Sequence, residues 1–251
     1  MLISLIPLIY LLVRVATIGF SELAELIFQA RTLELIINSL ALAAAVSVSA
    51  VVLGSMQAWV AVRSNLPGRK IFSVLAALPL AIPSYVAAYA WIAVIPGFSG
   101  FFAAWLLLTV GTAPLVYLAV SAALVRFDAG TEEVAQSLGA TKLQVFRKVT
   151  WPNIRTAAVS GGLLSALYVL SDFGAVSIVR YDTFTRAIYN AYRASFDRNQ
   201  AAALALVLVL VTVLVLYFES KARGQKFATG KIASRLGLVQ LGRWKAPMVL
   251  L

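Results

Sequence analysis

The chain has 251 residues, 61% hydrophobic and 12% charged, and a net charge of +11; a soluble domain of that length cannot bury so much apolar side chain, so a water-soluble fold is excluded. The basic residues gather in short stretches between apolar runs, not in an aromatic-interleaved stripe, which argues for membrane topology and against nucleic acid. With no Cys and no His, the chain lacks disulfides, thiolate sites and imidazole-based acid–base or metal chemistry.

Six apolar runs long enough to cross a bilayer are expected as helices: residues 2–20, 36–62, 71–95, 101–125, 156–179 and 201–218. An open sheet cannot sit in lipid, and the alternation of a barrel is missing. The first run lacks a basic leader and a small-x-small cleavage pattern and carries Arg14 inside it. It therefore reads as a first span, not a signal peptide. The third run contains "LPLAIPSYVAAYAWIAV", where Pro79 and Pro83 remove backbone donors and should bend the helix. Tyr85 and Tyr89 share a face there, either as packing and an aromatic belt or as lining of a translocation pathway.

Between the fourth and fifth runs lies "EEVAQSLGATKLQVFRKVTWPNI". Asp128 or Thr131 can cap a helix start, with Glu132 and Glu133 in its first turn. Val134 and Leu138, then Leu143, Val145, Phe146 and Val149, fit two short amphipathic helices. Gly139 between them permits a sharp left-handed bend, and Pro152 suits the first turn of the next helix. The fifth run holds Asp172 in "YVLSDFGAVSIV", expected well inside the span. A carboxylate there must face water, a cavity or a basic partner, for which Arg14 is a candidate. The 180–200 loop, with Tyr181, Asp182, Phe184, Arg186, Tyr189, Tyr192, Arg193 and Asp197, reads as a small folded cap.

Topology follows from the basic residues. Residues 63–70 carry three, 126–155 five and the segment after 218 seven, making fifteen on one side against five on the other. The polar loop, the tail and the N-terminus are thus expected in the cytoplasm, with a permease domain at 1–220, its loop at 126–155 and a basic tail at 221–251. In the tail, "GQKFATGKI" has the wrong glycine interval for a phosphate loop and no Ser or Thr after Lys231. "LVQLGRWKAPMVLL" is either an interfacial anchor at Trp244 or the start of another span.

In the polar loop, Glu133-Val134-Ala135, three residues, Gly139, nine residues, Val149, one residue, Trp151-Pro152 resembles the EAA loop of binding-protein-dependent ABC importer permeases. Every interval matches; Val134, Val149 and Trp151 replace one apolar residue by another. The resemblance implies an all-α membrane protein of six transmembrane helices with a cytoplasmic coupling-helix loop, the type I importer permease fold. It implies that Glu133, Ala135, Gly139, Lys142, Val149 and Pro152 couple to an ATPase, with Lys142, Arg147 and Lys148 facing acidic groups or headgroups. It also implies a bacterial inner-membrane subunit that binds no cofactor, ATP and Mg residing on a partner ATPase. The other implied partners are a second permease half (fused, homodimeric or separate) and an extracytoplasmic solute-binding protein. The 180–200 loop, with Arg186 and Arg193, is the natural docking surface for that protein. "LSDFGAVSIVRYDTFTRAIYNAY" and "LPGRKIFSVLAALPLAIPSYVAAYAW" resemble the ferric-iron branch, whose members are often two fused halves, this chain looking like the N-terminal one. Polyamine, thiamine and sulfate permeases share the architecture. An ion-coupled secondary transporter would need several buried ionisable groups, and only Asp172 and Arg14 stand out. A membrane scaffold with no transport role would have no reason to keep the loop's spacing.

Overall fold

A computed structural model of the chain describes residues 2–128, 130–193 and 197–223. The phosphate-loop-like stretch at 224–232, the 238–251 segment and most of the basic tail lie outside the described residues. The helices are α1 (Leu2–Ile18), α2 (Phe20–Ile27), α3 (Ala30–Arg63), α4 (Arg69–Ala77), α5 (Ser84–Val94) and α6 (Gly100–Arg126). They continue with α7 (Gly130–Ser137), α8 (Lys142–Val145), α9 (Trp151–Ser171), α10 (Gly174–Ile178), α11 (Phe184–Arg193) and α12 (Arg198–Arg223).

Among the described residues four helical stretches are long and apolar enough to span a bilayer, and two bent pairs bring the number to six. One pair is α1 with α2. The helix expected to run through residue 20 stops at Ile18, because Gly19 turns to a φ of +86°. The other pair is α4 with α5, bent by 99° across a 3-10 turn at Leu78–Ala81. The proline pair predicts that bend: Pro79 and Pro83 lack the N–H groups that would continue the ladder.

The fifth span also ends earlier than expected. α9 stops at Ser171, and the apolar residues through 179 form the separate short helix α10. Asp172 stands at the break. Its Oδ1 accepts the backbone N–H of Ala175 at 2.8 Å, satisfying a donor that opens α10. The expectation that Asp172 lies well inside a continuous span is therefore corrected.

The chain divides into two compact units. The first comprises residues through Ala45, Pro83–Leu108 and Ala166–Tyr217. Its core is Leu35, Phe184, Leu204 and Val207, with Ile27, Ile188 and Leu208 packed around it. The second comprises Val46–Ile82, Thr109–Ser165 and the described residues from Phe218 onward. Its core runs through Ala50, Ala58, Val116, Val120, Leu124, Ile154 and Ala158. Small residues let α3, α6 and α9 approach closely within this unit. A Cβ on Gly161 would lie 2.7 Å from the Val116 Cα, and one on Gly54 would lie 2.6 Å from the Ala113 carbonyl. Ser47 Oγ donates to the Gly162 carbonyl at 2.6 Å across the same packing. Such contacts replace the hydrophobic drive that is lost between helices in lipid.

Candidate functional site

The polar loop forms the predicted helix, bend and helix inside the second unit. Asp128 Oδ1 accepts the Gly130 N–H at 3.0 Å, and Thr131 Oγ1 donates to the Asp128 carbonyl at 2.7 Å, so both residues organise the start of α7. Glu132 and Glu133 occupy its first turn, where the helix dipole favours them. Gly139 sits at a φ of +87°. Its N–H donates to the Gln136 carbonyl at 2.9 Å, and the Ala140 N–H donates to the Ala135 carbonyl at 3.1 Å. This bond pair is a Schellman closure with Gly139 in the left-handed position. It gives the Ala135-to-Gly139 spacing a physical reason: the residue that supplies the closing carbonyl must stand four before the glycine.

The second helix begins with a capping box. Thr141 Oγ1 accepts the Gln144 N–H at 3.3 Å, and Gln144 Oε1 accepts the Thr141 N–H at 2.9 Å. Thr141-x-x-Gln144 is the signature of this motif and was available to sequence reasoning, which overlooked it. α8 then opens into a π turn at Phe146–Thr150 and passes without a gap into α9. Pro152 falls in the first turn of α9, as expected, although the helical run is continuous from Lys142 to Ser171. Pro152 has no N–H to continue the ladder, and the wide turn lies just before it. Asn153 Nδ2 donates to the Val149 carbonyl at 2.7 Å beside it.

The loop turns much of its apolar surface outward. Leu138 is 84% exposed, and Val134 and Leu143 are exposed as well, with Val145 tucked in. Glu133, Lys142, Arg147 and Lys148 are exposed around them, Ala135 and Val149 half-buried. An unpartnered apolar strip ringed by charge suits a protein partner. The loop is anchored from behind by residues that sequence reasoning did not single out together. Thr150 Oγ1 donates to Glu132 Oε1 at 2.6 Å, and the buried Arg63 guanidinium lies 3.6 Å from the same oxygen. No sequence signal joins Arg63 to Glu132, because they are far apart in the chain.

The other candidate residues lie in the first unit. Asp172 is buried; besides the Ala175 N–H it accepts a hydrogen bond from Ser84, and its backbone carbonyl accepts the Thr185 hydroxyl at 2.7 Å. These bonds tie α9, α10, α5 and α11 together. Arg14 is not its partner. Arg14 lines a separate cavity of 260 Å³ with Pro7, Tyr10, Tyr192 and Arg198. Tyr85 and Tyr89 are exposed on α5, and Gly174 packs against the Tyr85 backbone and Cβ.

In the 180–200 segment the described residues, 180–193 and 197–200, are folded. Phe184 is buried in the core, and its N–H donates to Ser39 Oγ at 3.2 Å. Asp182 receives Arg31 at 2.7 Å and is also paired with Arg186. Partial burial alone would raise the Asp182 carboxyl. The hydrogen bond from Arg31 and the charges of Arg186 and Arg31 outweigh it and hold the group below the usual carboxylate range. Arg186 thus faces inward to Asp182, whereas Arg193 at the end of α11 is exposed.

A family model described as binding-protein-dependent transport system inner membrane component matches residues 50–220. An Fe(3+)-transport system permease protein of Haemophilus influenzae is 36% identical over 237 residues, which are 94% of this chain and 47% of that protein. The chain thus spans about half of that relative's length. A sulfate transport system permease protein of Salmonella typhimurium is 32% identical over 71% of this chain and 70% of its own. Among solved structures, a bacterial alginate ABC transporter in complex with an alginate pentasaccharide-bound periplasmic protein matches with a TM-score of 0.65 at 16% identity, over 90% of both chains. An inward-facing methionine ABC transporter matches with a TM-score of 0.63 at 20% identity, over 75% of this chain and 93% of that one. At those identities the structural matches speak for the fold, which is that of the type I importer permeases.

Proposed function

The chain belongs to the family of binding-protein-dependent transport system inner membrane components, and from that premise we propose that it forms half of the pathway of an ATP-driven importer whose cargo is ferric iron. A separate ATPase carries ATP and Mg; this chain receives its movement. The observation that carries the reading is the Schellman bend at Gly139, which holds the exposed Val134, Leu138 and Leu143 on a short rigid projection. A projection fixed by backbone hydrogen bonds transmits a push, whereas a floppy loop absorbs it. The helical run from Lys142 to Ser171 is continuous, so a force on α8 is delivered directly along α9. Lys142, Arg147 and Lys148 offer the partner basic contacts at the rim of the apolar strip.

The remaining assignments complete the same reading. A second permease half supplies the other wall of the pathway, and Tyr85, Tyr89 and Asp172 lie on this half's share of it. Asp172 serves there by shape, since its acceptors are taken up by Ser84 and the start of α10. An extracytoplasmic binding protein delivers the iron and docks at the folded cap, with exposed Arg193 on that face and Arg186 holding the cap together through Asp182. The loop and both termini face the cytoplasm, on the strength of the excess of basic residues on that side.

Ferric iron is supported by the 36% identity to the Haemophilus influenzae permease over 94% of this chain. Sulfate is the second reading, supported by the 32% identity to the Salmonella typhimurium protein. The test is uptake by a strain lacking this reading frame, restored by the full-length gene. ATP-dependent uptake of radiolabelled ferric iron, lost on depleting the co-purifying ATPase, is the expected result. Restored sulfate uptake without iron uptake would replace the cargo. Uptake driven by Na⁺ or H⁺ with no ATPase bound would overturn the class.

A further inference from the structure

Among the described residues Arg63, the last residue of α3, is the largest fully buried side chain, with 1% exposed. All three guanidinium nitrogens are buried, and none has a hydrogen-bond acceptor within range. The guanidinium carbon stands 5.3 Å from the centre of the Phe127 ring. Glu132 Oε1 is 3.6 Å from Nη2, whereas a formed N–H···O bond spans roughly 2.7–3.2 Å. That same oxygen already accepts the Thr150 hydroxyl at 2.6 Å.

One carboxylate oxygen therefore stands between two donors. A neutral hydroxyl holds it, and a buried cation waits a few tenths of an ångström beyond reach. Charge-assisted hydrogen bonds are about twice as strong as neutral ones. A buried cation held only by a long ion pair and a ring face has its desolvation poorly compensated, and a formed hydrogen bond would offset more of it. The ion pair seen here is longer than a hydrogen bond, and a small advance of α7 toward the end of α3 would convert it into a charge-assisted one. Coupling between distant sites is carried by contacts that can take two discrete arrangements.

We propose that Arg63 and Glu132 are positioning residues of the coupling apparatus, with Thr150 as the competing donor. Movement of α7 transfers the Glu132 carboxylate from Thr150 to Arg63, and so draws in α3. The chain itself connects the loop only to α6 and α9, so this contact adds a third helix to those that the loop can move. The inference rests on the coupling role proposed above.

The test uses the full transporter, purified with its ATPase and reconstituted with its binding protein, and reads cargo moved per ATP hydrolysed. Glu132→Gln keeps the size of the side chain and an acceptor for Thr150 but removes the charge that Arg63 would take. The expected result is assembly at wild-type yield with cargo per ATP lowered by about five-fold or more. Arg63→Met fills the buried space without charge and is expected to lose coupling, and Arg63→Lys is expected to recover much of it. A role in packing alone predicts the reverse order for Met and Lys. Unchanged cargo per ATP in Glu132→Gln, or Met performing better than Lys, overturns the proposal. Lowered yield with unchanged cargo per assembled complex also overturns it. Should Glu132→Gln fail to assemble, Thr150→Val decides. Freed from its hydroxyl, Glu132 closes on Arg63, and ATPase stimulation by the binding protein shrinks; full stimulation overturns the proposal. A wild-type complex without ATP-driven uptake would instead sink the importer reading, before any variant is made.

Discussion

Replacing Gly139 with Ala isolates the contribution of a single backbone angle. The residue sits at a φ of +87°, and a Cβ built there meets nothing within 4 Å. No steric collision confuses the outcome, and whatever changes comes from the conformation. An L-residue held in left-handed backbone costs about 1–2 kcal/mol. The relaxed loop then leaves the Schellman bend, and a partner that binds only the bent form must restore it. At about 1.4 kcal/mol per decade, the affinity for the ATPase should fall roughly 5- to 30-fold. Asn tolerates the left-handed region and takes the same position at helix ends. Gly139→Asn should therefore recover most of the loss. The assay is titration of the solubilised permease with the purified ATPase, comparing Gly, Asn and Ala in that order. Equal affinities for all three, or Asn no better than Ala, would refute the argument from the bend.

Three further outcomes are expected. Gly161→Ala drives a Cβ to within 2.7 Å of the Val116 Cα and should cost about 1–3 kcal/mol as overpacking, whereas Gly111→Ala, with nothing within 4 Å, should be neutral or better in the same thermal unfolding assay. Asp172→Asn keeps an acceptor for the Ala175 N–H and should retain stability and uptake; Asp172→Ala loses that cap and should cost about 0.5–2 kcal/mol, so uptake that fails in Asn as fully as in Ala would return the charge to the account. The Asp182 carboxyl titrates below its ordinary range, so its ion pairs stabilise the cap at every pH above about 3.9 and are lost only as pH falls through the lower folded value. Exposed pairs of this kind contribute about 1 kcal/mol or less, and unfolding midpoints of wild type and Asp182→Asn should run parallel from pH 5 to 8 and converge in acid.

The loop was legible because its geometry is local. Ala135, Gly139 and Ala140 close a turn through their own backbone, and a spacing records that directly. The spans were legible from apolar length, and the bend in the third from its two prolines. The end of the fifth was not. The residues after Asp172 are as apolar as those before it, so hydropathy runs across the break, and only the hydrogen bond from Ala175 reveals it. The Asp172–Arg14 pairing failed for a related reason: two ionisable groups in an apolar background invite each other on paper, yet Ser84 and the backbone satisfy the carboxylate first. Arg63 and Glu132 were read as a topology signal and a first-turn acid, since nothing local in either stretch refers to the other.

The π turn at Phe146–Thr150 has a consequence for the register of all that follows. A turn of that kind absorbs one residue more than a regular helix does. One residue is worth about 100° of rotation around a helix axis. The side of α9 that bears Gly161, Gly162 and Ser165 is therefore aimed by a wide turn more than ten residues upstream. Shortening Phe146–Thr150 by a single residue would leave composition and hydropathy almost untouched. It would nonetheless swivel those small residues off Val116, Ser47 and Thr112, putting bulk where the neighbouring backbones leave none.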